Sequence, residues 1–171
     1  MYHPVHVIIE NVNDCRKEMH NNAWYFRKEY RKMVKSPEPV DILEKDTIET
    51  MILNGYVPMA VGGSGIRVIN NQNEYKGYDG AIDKDLSSSL LVSSIGASKF
   101  IIITDVDNVF LDYRNKNGKI NKIKYAKMLD YYNKINFEKG TIKPKILASL
   151  RFIENGGTRV YITSIKKHRF H

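Results

Sequence analysis

The sequence predicts a layered α/β domain with a mainly parallel sheet. From Asp41 onward, short apolar runs alternate with helical patterns. Phe100 to Thr104 is apolar and β-branched without alternation, as in parallel strands covered on both faces. At 171 residues the chain is long enough to bury roughly two-thirds of its unfolded surface as one domain.

Each element has its own signal. Ile48, Met51 and Ile52 share one face of a helix from Asp46 to Leu53, which Asn54-Gly55 stops. Tyr56 to Val61 reads as a buried strand running into Gly62-Gly63-Ser64-Gly65. Leu86, Leu90 and Leu91 at three-to-four spacing predict a helix from Lys84 to about Ile95, ended by Gly96. The strand Phe100 to Thr104 follows. Between Leu111 and Lys122, Asn117-Gly118 is a turn or hairpin signal. Helices are expected from Tyr125 to Ile135 and from Pro144 to Glu154. The latter has proline in its first turn and Asn155-Gly156-Gly157 past its end. Arg159 to Thr163 is a last strand. Upstream, Pro37 and Pro39 demand extended backbone at Ser36 and Glu38, and Asn13 to Met33, basic and aromatic, reads as partly helical. A flap, a hinge or an N-terminal remnant are all open for this region.

The net charge of +8 admits an anionic partner, but the cations are spread along the chain, which favours generic basicity or a phosphate-bearing small ligand over nucleic acid. The single cysteine, Cys15, cannot form an internal disulfide, and no run of eighteen apolar residues or signal-peptide pattern is present. A cytoplasmic protein without membrane attachment is expected. His3, His6, His20, His168 and His171 lie near the termini, without metal-ligand spacing apart from the first two. Trp24, Tyr25, Phe26 and the nearby Arg and Lys residues could stack on bases, but a packed aromatic face is favoured.

Four segments carry candidate chemistry. Lys84 lies between Asp83 and Asp85 at a helix start, where carboxylates cap free N–H groups and a cation is unfavourable by about 0.3–1 kcal/mol unless an anion is near. Lys143 and Lys145 stand at another helix start, so a shared anion and ordinary surface lysines are both open. Thr104-Asp105-Val106-Asp107 lies at the carboxyl end of a parallel strand, where open α/β sheets bind ligands, although an Asx-turn would also explain it. Gly62-Gly63-Ser64-Gly65 is either a backbone cradle for an anion or a plain tight turn, and it has neither Walker nor dinucleotide-fingerprint spacing.

Taken in order, Ser36-Pro37-Glu38-Pro39-Val40-Asp41-Ile42, Ala60 to Ile66, Ile82-Asp83-Lys84-Asp85-Leu86, Thr104 to Asp107 and Lys143-Pro144-Lys145 resemble the motifs of carbamate kinases, in the amino-acid-kinase superfamily. The resemblance covers about Tyr30 to Ile165. It implies an αβα sandwich that transfers a phosphoryl group between ATP and carbamate with Mg2+, forming ATP from ADP and carbamoyl phosphate in arginine catabolism. On that resemblance Lys84 and Lys145 hold the transferring phosphoryl and the nucleotide phosphates, and Asp85 orients both lysines. Thr104, Asp105, Val106 and Asp107 line the nucleotide pocket, and Gly62, Gly63, Ser64 and Gly65 face the substrate. The chain then reads as a single partial domain, with residues 1–40 divergent and 41–171 forming the nucleotide-binding part.

Departures from the family pattern are also legible. The Gly-Gly-Asn-Ala type loop of the family's first strand has no counterpart before Tyr30, and the last strand is expected to be missing, so the chain resembles roughly the C-terminal half. The Asp-Ala-Gly-Arg-Gly stretch before Tyr30 is absent, Lys35 replaces a proline, Asn108 a glycine, and Ile142-Lys143 a Met-Gly pair. Two readings stay open: a phosphotransferase completed by a homodimer partner or by a separate chain supplying the missing half, and a catalytically impaired nucleotide-binding remnant. A basic nucleic-acid-binding protein is a distant third. An incomplete fold is also expected to expose an apolar sheet edge or face.

Overall fold

The computed structural model describes residues 5–9, 25–27, 29–31, 36–62, 65–72, 74–105, 108–112, 117–135, 137 and 142–164. The chain divides into two compact units, Met1–Ser87 and Ser88–His171.

The first unit contains β1 (His6–Ile9), β2 (Tyr25–Arg27), β3 (Glu29–Arg31), β4 (Pro39–Ile42), α1 (Lys45–Leu53), β5 (Ile66–Asn71), β6 (Glu74–Gly77) and the first turn of α2 (Lys84–Ser94). A four-stranded sheet runs β4-β1-β5-β6, with β1 parallel to β5 and antiparallel to β4, and β6 antiparallel to β5. Central β1 supplies the core because its alternation sends Val5, Val7 and Ile9 to one side, all buried, with buried Ile42 opposite Val7. Edge strand β4 tolerates Pro39, which has no N–H to donate. The register slips there: Ile8 pairs with Asp41 but Ile9 with Pro39, leaving Val40 bulged outward. Glu44 ties β1 to the start of α1. Its Oε2 accepts the His6 backbone N–H at 2.7 Å, and its Oε1 lies 2.5 Å from His6 Nδ1.

Several expectations change in this unit. Tyr25–Arg27 and Glu29–Arg31 form an antiparallel hairpin, not a helix, in keeping with the strand preference of aromatic residues. Residues 13–24, 28 and 32–33 of that predicted helical stretch lie outside the described residues. Tyr56 to Val61 is not a strand: it makes a single bridge at Met59, and Val57 is 93% exposed. Pro58 explains this, since a central strand needs a donor at every residue. On α1, Ile48 is buried as expected, but Ile52 is 42% exposed.

The second unit contains the rest of α2, then β7 (Lys99–Thr104), β8 (Val109–Asp112), β9 (Asn117–Ile120), α3 (Tyr125–Lys134), α4 (Ile142–Glu154) and β10 (Arg159–Ser164). β7 and β10 pair in parallel from Lys99 with Arg159 to Thr104 with Ser164, and β8 and β9 form a hairpin. Val109, Met128, Phe137, Ile146 and Leu150 make the core, and Phe100 packs on Phe152 with ring centroids 5.6 Å apart. Helices α2 and α4 meet through small residues, with buried Ser89 donating to the Ala148 carbonyl at 2.7 Å.

β7 alternates, contrary to the fully buried strand expected. Phe100 and Ile102 are buried, while Ile101 and Ile103 are 58% and 60% exposed. Only one face is covered by the described residues, and Tyr161, opposite Ile101 in β10, is exposed as well. The chain thus has an exposed apolar sheet face of the kind expected. Asn117-Gly118 opens β9 instead of forming the turn; a side chain at Gly118, with φ +67°, would meet Leu111 at 2.8 Å.

Three helices close with the same device. Past α1, α2 and α4, the glycines Gly55, Gly96 and Gly156 take positive φ. Each glycine N–H and the following N–H bond back to carbonyls of the last turn, as in Gly96 to Ser93 and Ala97 to Val92. α4 begins at Ile142, two residues earlier than expected. Pro144 still falls in its first turn, where no intrahelical N–H bond is lost.

Candidate active site

The start of α2 is built around Asp83. Its Oδ1 accepts the backbone N–H groups of Asp85 at 2.8 Å and Leu86 at 3.1 Å, and so caps the helix. Its carbonyl accepts both the N–H and the hydroxyl of buried Ser87, at 3.0 and 3.1 Å. Between these bonds Lys84 stands exposed and Asp85 half-buried. Of the two carboxylates that could cap the helix, Asp83 is the one whose side chain does so.

The glycine run divides into parts. Gly65 is explained by packing: φ is +81°, and an added Cβ would lie 2.6 Å from the Val7 side chain and 2.9 Å from the Val5 carbonyl. That closeness lets Ile66 N–H bond Val5 O at 2.7 Å, which starts the parallel β1/β5 pairing. Gly62 is exposed, and Gly63 and Ser64 lie outside the described residues. Just before the run, buried Val61 holds φ +57°. A β-branched residue rarely adopts that conformation, at a cost of about 1–3 kcal/mol.

In the second unit, β7 ends in Thr104, whose hydroxyl donates to exposed Asp105 Oδ1 at 3.0 Å. Val106 and Asp107 lie outside the described residues. The first turn of α4 holds Lys143 and Lys145 and contains no acidic residue. Lys143 Nζ lies 5.3 Å from the Tyr132 ring centroid, a cation–π contact within the unit, so this lysine is engaged with the protein itself. Lys145 is half-buried, and its carbonyl accepts the Ser149 hydroxyl at 2.7 Å. Lys84, Asp85, Gly62 and Gly65 therefore belong to the first unit, and Thr104, Asp105 and Lys145 to the second.

Sequence reasoning passed over Ser87 and Ser89, both fully buried on α2. The signal was present as Ser87-Ser88-Ser89 inside an otherwise apolar helical pattern, where small residues allow close backbone approach. Away from the candidate residues, Lys45 bonds Asp41 at 2.8 and 3.1 Å. Burial raises the Asp41 pKa, but the Lys45 hydrogen bond, the Ile42 N–H and the Lys45 charge together hold it below the usual carboxylate value. The Asp41 hydrogen bond and charge raise that of Lys45 in turn.

Among the described residues, no group of three or more His, Cys, Asp or Glu could hold a metal ion by itself. A Mg2+ that enters on nucleotide phosphates needs only one or two protein carboxylates. Asp83, Asp85 and Asp105 are the described acidic residues of the Ile-Asp-Lys-Asp and Thr-Asp-Val-Asp segments, and Asp85 in the first unit and Asp105 in the second are each one such carboxylate. No described helix is long and apolar enough to cross a membrane.

The model of the amino acid kinase family matches residues 9–164. The carbamate kinase of Thermoplasma acidophilum is 40% identical over 154 residues, covering 88% of this chain and 50% of that protein. The chain thus spans about half the length of the curated relatives it matches. A carbamate kinase from Giardia lamblia bound to citric acid superposes with a TM-score of 0.84 at 24% identity, over 98% of this chain and 60% of that one, which shows the fold. The same enzyme bound to AMP-PNP gives 0.81 at 25% identity, over 96% and 55%. The chain belongs to the amino acid kinase family and is similar, over nearly its whole length, to about one half of a carbamate kinase.

Proposed function

We propose that this chain carries the phosphate-holding part of a carbamate-kinase-like phosphotransferase, acting between ATP and carbamate. In the ATP-forming direction, the bond between phosphorus and the carbamate oxygen of carbamoyl phosphate breaks. A bond from the terminal β-phosphate oxygen of ADP to that phosphorus forms. Such transfer asks the protein for positioning and charge neutralisation more than for covalent work. Lys84 and Lys145 hold the phosphate oxygens, Asp85 orients the lysines, Thr104 to Asp107 line the nucleotide pocket, and Gly62 to Gly65 face the substrate. Mg2+, when bound, neutralises charge on the phosphates. The whole chain acts as one partial domain, with residues 41–171 as its nucleotide-binding part. It works in the cytoplasm in arginine breakdown, in a homodimer or with a chain supplying the rest of the fold.

The observation that supports this reading best is the 40% identity to a carbamate kinase over 88% of the chain. A coupled assay of ATP formation from ADP and carbamoyl phosphate tests it. Lys84→Ala and Lys145→Ala are each expected to lower turnover about a hundredfold or more, as when one charge-stabilising donor is removed. Turnover that neither substitution changes contradicts the reading. ADP binding without turnover favours the impaired nucleotide-binding remnant.

A further inference from the structure

We infer that Asp83 is a positioning residue, which fixes the first turn of α2 so that Lys84 meets phosphate in one geometry; this rests on the phosphate-holding role proposed for Lys84. Four hydrogen bonds converge on this one residue. The carboxylate takes the N–H groups of Asp85 and Leu86, and the carbonyl takes the N–H and the hydroxyl of Ser87. Ser87 is fully buried, so the far end of the network is anchored in the protein.

Lys84 is the first helical residue after this hub and its side chain is exposed. A long exposed lysine has many rotamers, and only its backbone anchor point can be ordered in advance of ligand. Asp83 orders that anchor. Its Oδ1 is engaged by two backbone N–H groups, and so it acts through Lys84 and Asp85 and is not assigned contact with substrate. Loss of the cap would let the first turn fray and spread the position of the lysine, a cost that falls on phosphate recognition and not on the rest of the nucleotide.

The test is calorimetric titration of the full chain with ADP and, separately, with adenosine, both with Mg2+ present, and with thermal melts confirming that each variant is folded. Asp83→Ala is expected to weaken ADP about fivefold, the fold-change that matches the typical loss of helix-end stability when an N-cap side chain is removed, and to leave adenosine unchanged. Asp83→Asn and Asp83→Ser, which still cap, are expected to restore ADP affinity, showing that the hydrogen bonds matter and not the charge. Should Asp83→Ala fail to fold, Asp83→Gly, which removes the same side-chain bonds but is better tolerated at an N-cap, is expected to show a smaller loss in the same direction. Unchanged ADP affinity in Asp83→Ala and Asp83→Gly overturns the inference, as does an equal loss for both ligands. A wild-type chain that binds adenosine and ADP alike, or neither, overturns the proposed role of Lys84 and this inference with it.

Discussion

The two units carry their candidate residues in different ways. In the first, local packing accounts for most of the motif: Gly65 is required by Val5 and Val7, Asp83 by the free N–H groups of α2, and Ser87 by the Asp83 carbonyl. In the second, the first turn of α4 carries two lysines and no carboxylate, at the positive end of a helix. One lysine turns to Tyr132. The motif residues of the first unit are thus explained by bonds and packing within it, whereas the first turn of α4 in the second places its lysines where a helix end favours negative charge. A motif shared with a family mixes residues that shape the loop with residues that meet the ligand, and geometry separates them.

The comparison breaks most visibly at Gly65. Gly65→Ala forces an L-residue to positive φ and a methyl group against Val7 and the Val5 carbonyl. Strain and overpacking together predict about 3 kcal/mol of lost stability, read from urea unfolding. A change under ~0.5 kcal/mol would mean that the glycine serves the ligand and not the fold. Lys145→Ala should do the opposite. It is expected to weaken ADP binding about tenfold, the size of a charge-assisted hydrogen bond, with little change in melting temperature. A large stability loss with normal ADP affinity would place Lys145 among the structural residues.

Much of the fold was legible because glycine and proline act locally. Gly55, Gly96 and Gly156 mark the ends of three helices in the sequence and end them in the structure through the same pair of bonds. Errors came where tertiary context decides. Tyr56 to Val61 has the apolar content of a strand, but Pro58 denies it a full ladder. β1 went unrecognised although Val5, Val7, Ile8 and Ile9 are all β-branched, because four residues near a terminus carry little periodicity. The exposure of Ile101 and Ile103 could not be read from composition, since an apolar run looks the same with one face covered or two. At the candidate site the segments were found by their order in the chain. The split between Asp83 as cap and Lys84 as exposed cation needed coordinates, because both residues suit a helix start on charge and capping grounds alone.

Smaller effects sharpen the contrast between organised and waiting regions. Ser89→Ala removes the buried bond to the Ala148 carbonyl and is expected to cost about 1 kcal/mol. An unchanged unfolding midpoint would show that α2 and α4 pack through size alone. The smallest effect is the Asp41–Lys45 pair on the surface of the first unit. The folded Asp41 pKa lies below the unfolded value near ~3.9. Its contribution is therefore full above that value and is lost as pH falls through the folded pKa. Lys45, raised when folded, contributes fully below the unfolded lysine value and loses this as pH rises through its folded pKa. After solvent screening the Asp41 contribution is about 0.3 kcal/mol. The gap in urea midpoint between wild type and Asp41→Asn should be flat at neutral pH and should close on the acid side of the unfolded value. A gap that widens in acid would reverse the assignment.

The central claim is that Lys84 and Lys145 hold nucleotide phosphates, and titration of ADP with Mg2+ into wild type and the Lys84→Ala/Lys145→Ala double variant tests it most directly. The account predicts saturable binding to the wild-type chain that the double variant lacks while its melting temperature stays close to wild type. ADP binding of equal strength in both proteins, or no binding to the wild type at millimolar ADP, would contradict it.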